Sequence, residues 1–376
     1  MKTIYILTYH CAGNVGAMLQ CYALSTTIEK MGYFPKVIDF RPSKVISPSV
    51  ERLFWKKKNM TSIKRFQWYF LWDLRYFKRI LKYCWRKKNH YLIFKGNTSS
   101  AFCDFMTKKL HLTDKVYYDF RELESFAYTN DIFIVGSDQV WNPILSDAPQ
   151  VYLLDFVKVG KKNAYGASFG TKSIDEHFGH HLKSSLSTYQ IISVRENSGI
   201  GIVRSAAEKL ATCVVDPVFL LDKNDWIRLT YKVPISEPFI FVYRTEENPL
   251  FQKEIDKLRN INPQLKIVQF DSFHGNLNSD YIIPRKGPLD FISYLFASSY
   301  VLTNSFHGSA FSIIARKSAV IIPHSFYNER IDSLMDTIGI RNNTDGIYLL
   351  KEKGYDFFLN KPIDYSLALI RDICSE

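Results

Sequence analysis

Tyr300-Val301-Leu302-Thr303-Asn304-Ser305-Phe306-His307-Gly308-Ser309-Ala310-Phe311-Ser312-Ile313-Ile314-Ala315 changes its periodicity part-way along. Ser298 to Leu302 has the short β-branched and aromatic character of a strand, and Ser309 to Ala315 reads as the opening turns of an apolar helix. The polar residues between them form a turn. In a parallel α/β sheet such a turn lies at the carboxyl ends of the strands, where ligands bind, and the free amides of the following helix carry roughly half a positive charge. His307 therefore stands where an anion would be held, and an imidazole there can give or take a proton near pH 7. A histidine that merely closes a loop would leave the same trace.

Outward from this stretch the alternation repeats. Thr3 to Thr8 reads as a strand, Gly16 to Met31 as a helix stopped by Gly32, and Pro35 to Phe40 as the next strand. Asp131 to Val135, Tyr189 to Val194 and Thr212 to Val215 follow, each running into polar residues. Past Asp222 the pattern restarts with Phe239 to Tyr243, a helix from Pro249 to Asn260, then Leu265 to Phe270, Tyr281 to Ile283, Tyr300 to Leu302 and Val320 to Ile322. Strands alternating with helices imply parallel sheets with crossover connections. The expected fold is α/β, with two Rossmann-like doubly wound domains facing a cleft. One domain covers 1–222, the other 236–350, and the segment 351–376, with a helix from Tyr365 to Ile373, packs back on the first.

The length of 376 residues exceeds what one hydrophobic core usually organises. With 46% hydrophobic and 23% charged residues, the composition is that of a folded chain and excludes disorder as its main state. The Ile4 to Leu7 run is too short for a signal-peptide core, and no uncharged stretch approaches the roughly 18 residues of a membrane span. A cytoplasmic protein is expected. The six cysteines are scattered without a CxxC pair, which favours reduced thiols over disulfides or a zinc site. Without a Walker sequence, a Gly-rich nucleotide loop or a metal-ligand cluster, neither an organic cofactor nor a metal is expected.

The net charge of +12 has one source. Between Lys44 and Lys95 there are 15 Lys and Arg against Glu51 and Asp73. Phe66, Phe70, Leu74, Phe77 and Leu81 recur there at helical spacing, so residues 44–95 read as a basic, aromatic, amphipathic helical insertion. Lys78, Arg79, Lys82 and Arg86 fall largely off the apolar stripe. They would meet an anionic membrane surface at the inner face of the plasma membrane, where each Lys or Arg is worth about 1 kcal/mol. Packing of the stripe on its own domain, with the charges in water, remains open at this level. No nucleic-acid motif accompanies the charge, so nucleic acid is not an expected partner.

Seven turn motifs then resemble one family in its order. They are His10 through Leu24, Asp39-Phe40-Arg41-Pro42, Gly136 through Asn142, Ala164 through Gly170, Ser193-Val194-Arg195-Glu196, Asp216 through Leu221, and Asn304 through Gly308. Together they are similar to the polysaccharide pyruvyl transferases over most of residues 1–325; the insertion departs from that pattern. The resemblance implies transfer of pyruvate from phosphoenolpyruvate to two hydroxyls of a sugar, giving a cyclic ketal and phosphate. It also implies a fold like the two-domain GT-B glycosyltransferases. By resemblance His307 is the catalytic histidine and Arg195 the donor-binding arginine.

That chemistry needs an acid near neutral pKa to protonate an enol ether, and a forked cation for a carboxylate or phosphate. His307 and Arg195 supply these, with Asn304, Ser305 and Gly308 beside them at the donor. An ion pair of Arg195 with Glu196 or Asp216 is the structural alternative. Asn14, Asp138, Gln139 and Asn142 belong to the acceptor side, with Asp138 as candidate base, although Asn14 could simply cap a helix and Asp138 close a turn. His274, in a second Ser-Phe-His-Gly, is a further acceptor candidate, and Asp216-Pro217 is read as positioning backbone. The acceptor would be a saccharide in a capsular or cell-surface polysaccharide precursor, soluble or lipid-linked. A nucleotide-sugar glycosyltransferase of the same architecture and a non-enzymatic membrane or polyanion adaptor are the competing readings.

Overall fold

The apolar runs become the central strands of two sheets in a computed structural model of the chain. It describes residues 3–41, 92–93, 98–143, 145, 148–270, 277–283, 287–324, 328–352 and 354–375. In the first half lie β1 (Ile4–Leu7), β2 (Pro35–Val37), β4 (Ile132–Val135), β5 (Lys161–Ala167), β6 (Tyr189–Val194) and β7 (Thr212–Cys213); β3 (Leu92–Ile93) belongs elsewhere. The six are ordered β2-β1-β4-β5-β6-β7 and pair in parallel throughout. Helices cover both faces, so β4 is buried at every position, as a strand inside a parallel sheet must be. The order reverses between β1 and β4.

The second half supplies β8 (Phe239–Tyr243), β9 (Lys266–Phe270), β10 (Tyr281–Ile283), β11 (Tyr300–Thr303), β12 (Ser318–Ile321) and β13 (Tyr348–Leu350). Its order is β13-β12-β11-β8-β9-β10-β3, parallel except for the antiparallel pair β12 and β13. Here the reversal falls between β8 and β11. Loops after strands on either side of a reversal diverge and leave a crevice at the carboxyl edge, which is where open α/β sheets bind ligands. The chain is thus an α/β protein of two Rossmann-like halves, as expected. β3 is a difference: the last residues of the basic insertion pair in parallel with β10 at the edge of the second sheet, instead of joining the first.

The two halves share a core. Trp226, in the connection between them, is fully buried, with its ring 4.8 Å from that of Phe311 and 5.9 Å from that of Tyr22. Its indole N–H donates to Val218 O at 3.1 Å, so the polar end of this wedge is satisfied. The helix Asp356–Ser375, longer than the sequence pattern suggests, returns to the first half, where Ser366 Oγ accepts the Val215 amide at 3.1 Å. Among the described residues no helix is long and apolar enough to cross a membrane. Lys78, Arg79, Lys82, Arg86 and the predicted amphipathic stripe lie outside the described residues, as does His274.

Candidate active site in the cleft

On the first half the site begins where β1 ends. The Val15–Lys30 helix follows after the loop 8–14, capped by the exposed Asn14, whose side-chain oxygen accepts the Gly16 and Ala17 amides at 2.9 and 3.3 Å. The cap role weighed for Asn14 is therefore real. Behind it His10 is fully buried, its Nε2 2.9 Å from Asp39 Oδ1, and Arg41 grips the same carboxylate through Nε and Nη2 at 2.7 and 2.6 Å. This network braces the loop with charge-assisted bonds.

Gly16 is a point where the halves meet closely. A Cβ there would stand 1.9 Å from His307 Nδ1 and 2.3 Å from its Cγ, so only glycine lets the imidazole seat against this helix end. Gly16→Ala is expected to push the ring out and to lower the unfolding free energy by about 1–3 kcal/mol, as overpacking does. Urea denaturation measures this; a variant as stable as the parent would show the ring free to move.

His307 is not in a loop. The helix begins at Phe306 and runs to Ile314, earlier than its apolar pattern implies, and the buried His307 is its second residue. Thr303 explains the early start: its hydroxyl accepts the Ser305 amide at 3.1 Å, and it lies so near Gly308 that a Cβ there would come within 2.3 Å. The imidazole Nε2 is 3.6 Å from Asp216 Oδ2, within ion-pair reach but beyond a hydrogen bond, and is buried without a hydrogen-bond partner among the described residues.

Asp216 does more than position backbone. One oxygen accepts the Val218 amide at 3.0 Å; the other pairs closely with Arg195 Nη1 and faces His307. Arg195 Nη2 reaches Asp138 Oδ1 at 3.2 Å, so its fork is held by two carboxylates and the ion-pair alternative holds in part. Glu196 is not the partner: its Oε1 accepts from Ser168 Oγ, the Phe169 amide and the Gly170 amide. Asp138 sits at φ 72°, a left-handed conformation disfavoured for a residue with a Cβ, which aims its carboxylate at the arginines.

The charges set one another's titration. Burial would raise the Asp216 carboxyl, but Arg195, then His307 and the Val218 amide, hold it well below the ordinary range. Asp138 is likewise lowered against its burial by Arg195, His307 and Arg330. Arg195 is raised: its two aspartates and Glu196 outweigh desolvation. Folded carboxyls below their unfolded values contribute stability that is complete above the unfolded value, about 3.9, and is lost as pH falls toward the folded values. Melting followed by calorimetry is expected to stay level from pH 7 to 5 and to fall steeply below about pH 4.

Across the cleft, Asn304 Oδ1 accepts the Thr245 amide at 2.8 Å, tying β11 to the residues after β8 at the reversal of the second sheet. Its Nδ2 is buried with no hydrogen-bond partner among the described residues. Ser305 is the residue before the helix, but its hydroxyl caps nothing. Gln139 and Asn142 crowd Gly170, and Gln139 Nε2 is again buried without a partner among the described residues.

Sequence reasoning missed Arg330. It is the second residue of the helix Glu329–Thr337, its Nη1 is 3.7 Å from Asp138 Oδ1, and its guanidinium lies 5.5 Å from the Phe306 ring, against 4.9 Å for Arg195. No motif surrounds it, and its only sequence signal is a cation in the first turn of a helix, where the dipole disfavours one. With Arg195, Asp216 and Phe306 it lines a cavity of about 200 Å³. A wider depression of about 480 Å³, bordered by Lys223, Lys232 and Lys317, shares no residue with this constellation. Among the described residues no cluster of His, Cys, Asp or Glu could hold a metal ion.

The sequence model of the family described as polysaccharide pyruvyl transferase matches residues 14–325. No curated protein matches the chain. Similar solved structures include UDP-GlcNAc 2-epimerase from Neisseria meningitidis bound to UDP-GlcNAc, at 12% identity, 99% coverage of this chain, 92% of that one and a TM-score of 0.44. The Methanocaldococcus jannaschii UDP-GlcNAc 2-epimerase in complex with UDP-GlcNAc and UDP gives 12%, 97%, 92% and 0.43. Spinosyn forosaminyltransferase SpnP gives 11%, 99%, 94% and 0.39.

Proposed function

We infer, because this chain belongs to the polysaccharide pyruvyl transferase family, that it transfers pyruvate from phosphoenolpyruvate to two hydroxyls of one sugar residue in a polysaccharide precursor, forming a cyclic ketal and releasing phosphate. The observation that carries the reading is His307: a buried imidazole, set between the amino ends of two helices and facing an ionised Asp216, with an unpartnered Nε2.

In this scheme His307 delivers a proton to the methylene carbon of the donor. The electron pair of the carbon–carbon double bond takes it up, and the adjacent carbon becomes an oxocarbenium-like electrophile. The first sugar hydroxyl adds to that carbon and releases its proton. The bond from carbon to phosphate oxygen then breaks, phosphate departs with the electron pair and carries off the first hydroxyl's proton, and the second hydroxyl closes the ketal and returns its proton to His307. Asp216, with Oδ2 3.6 Å from Nε2, faces the ring. Arg195 is a positioning residue that fixes Asp216 and Asp138 and contributes charge at the donor, while Asn304 Nδ2, with Ser305 and Gly308, adds polar contacts there. Asp138, held ionised by the arginines, accepts a hydrogen bond from the sugar hydroxyl, and Asn14, Gln139 and Asn142 complete the acceptor side. No cofactor is invoked.

The protein incubated with phosphoenolpyruvate and a panel of lipid-linked and soluble oligosaccharides tests this. Release of phosphate together with a pyruvyl mass increase on one acceptor is expected. Turnover that needs a UDP- or GDP-sugar and ignores phosphoenolpyruvate would replace the reading with glycosyl transfer.

A further inference from the structure

Arg195 is poorly placed to be the main counter-ion of an anionic donor. Its Nη1 and Nη2 are committed to Asp216 and Asp138, two negative charges on one positive, and only its Nε is buried without a partner. Arg330 is in the opposite condition. A guanidinium carries five N–H donors, yet Arg330 makes no hydrogen bond to any described residue. Its nearest carboxylate oxygen, 3.7 Å away, is the one Arg195 already holds at 3.2 Å. Its side chain is 13% exposed, so most of it is out of water while its nitrogens keep access to the cavity. Burial, then the like charge of Arg195, lowers Arg330 from the usual arginine range to about 10, even with Asp138, Glu196 and Asp216 nearby.

A largely buried cation without protein hydrogen bonds reduces stability, and residues that carry such a penalty mark places where a ligand completes the charge set. The neighbours point the same way. Phe306 presents its ring to both guanidinium groups, the Glu329–Thr337 helix adds its amino-terminal amides, and the cavity lined by Arg330 also reaches Arg195 and Asp216. The space of about 200 Å³ is that of six or seven waters at roughly 30 Å³ each, enough for a small polyanionic acid.

We propose that Arg330 is the principal donor-binding cation, its guanidinium leaving Asp138 to take an oxyanion of phosphoenolpyruvate, carboxylate or phosphate, while Arg195 stays in place as the brace between Asp138 and Asp216. This rests on the donor identity proposed above and extends it to a residue beyond the stretch that the family matches. It also gives the Lys172–Glu329 ion pair, 2.9 Å long across the cleft, a function: it holds the start of the Arg330 helix against the first half.

The test compares the parent protein with Arg330→Gln and Arg330→Lys, by calorimetric titration with phosphoenolpyruvate, inorganic phosphate and pyruvate and by melting without ligand. Both variants are expected to melt at or above the parent temperature, because a destabilising charge is gone or rehydrated. Both are expected to bind phosphoenolpyruvate about 10- to 100-fold more weakly, the range for losing hydrogen bonds to a charged group. Whichever of phosphate and pyruvate loses affinity in parallel identifies the oxyanion held. Unchanged phosphoenolpyruvate affinity in either variant overturns the proposal and leaves the donor reading standing. A lower melting temperature, or failure of both variants to fold, overturns it in favour of a structural arginine. If the parent binds phosphate but not phosphoenolpyruvate, and Arg330→Gln abolishes that binding, the donor reading fails while the anion site stands. A parent that binds none of the three defeats both.

Discussion

His307→Ala is expected to lower phosphoenolpyruvate-dependent transfer by about 10²- to 10⁴-fold, the contribution of a positioned general acid, while the protein still folds. The imidazole lies at the seam between the halves and its Nε2 makes no hydrogen bond to any described residue, so its removal orphans no described hydrogen-bond partner on that side. Initial-rate assays of phosphate release on an accepting saccharide give the number, and circular dichroism checks the fold. Adding imidazole should restore part of the rate if a proton is all that is missing. A folded His307→Ala protein with parental turnover would remove the histidine from the chemistry, and the role would have to pass to another group at the cleft.

Asp216→Asn is expected to be the most damaging single change to stability. The Arg195 side chain is 2% exposed, and the substitution leaves that buried cation with Asp138 alone; breaking a buried pair from one side costs about 3–5 kcal/mol. Urea unfolding followed by tryptophan fluorescence measures the loss, with Trp226 buried between the halves as a reporter of their contact. The double change Arg195→Met with Asp216→Leu should recover part of it, because replacing both charges by apolar groups removes the unpaired cation. A single Asp216→Asn variant as stable as the parent would mean that Asp138 alone neutralises Arg195.

Much of this was legible because strands buried on both faces write themselves as apolar runs. Phe239–Tyr243 and Ile132–Val135 are unbroken, and the turn residues after them carry the motifs. β5 left no such trace. Lys161-Lys162-Asn163-Ala164-Tyr165-Gly166-Ala167 is an interior strand, yet Asn163 and Gly166 interrupt its apolar pattern, the first accepting the Ile191 amide and the second donating its amide to Ser193 Oγ. Hydrogen bonding there substitutes for hydrophobicity, and periodicity cannot register it. Asp216 is harder to read for a related reason: next to proline it suggests a turn, and although the sequence offers it to Arg195 as one of two ion-pair partners, only the fold brings His307 to the same oxygen. Arg330 was invisible because its meaning lies wholly in what surrounds it in space.

The contact between Gly16 and His307 makes the acid the joint property of two bodies. Parting the halves to release a bulky saccharide would withdraw the imidazole from the helix end that seats it, and each new cycle would have to rebuild that contact. Such domain motions run on microsecond to millisecond timescales and commonly limit turnover. Solvent viscosity would then slow the steady state while leaving the first, pre-closed turnover untouched.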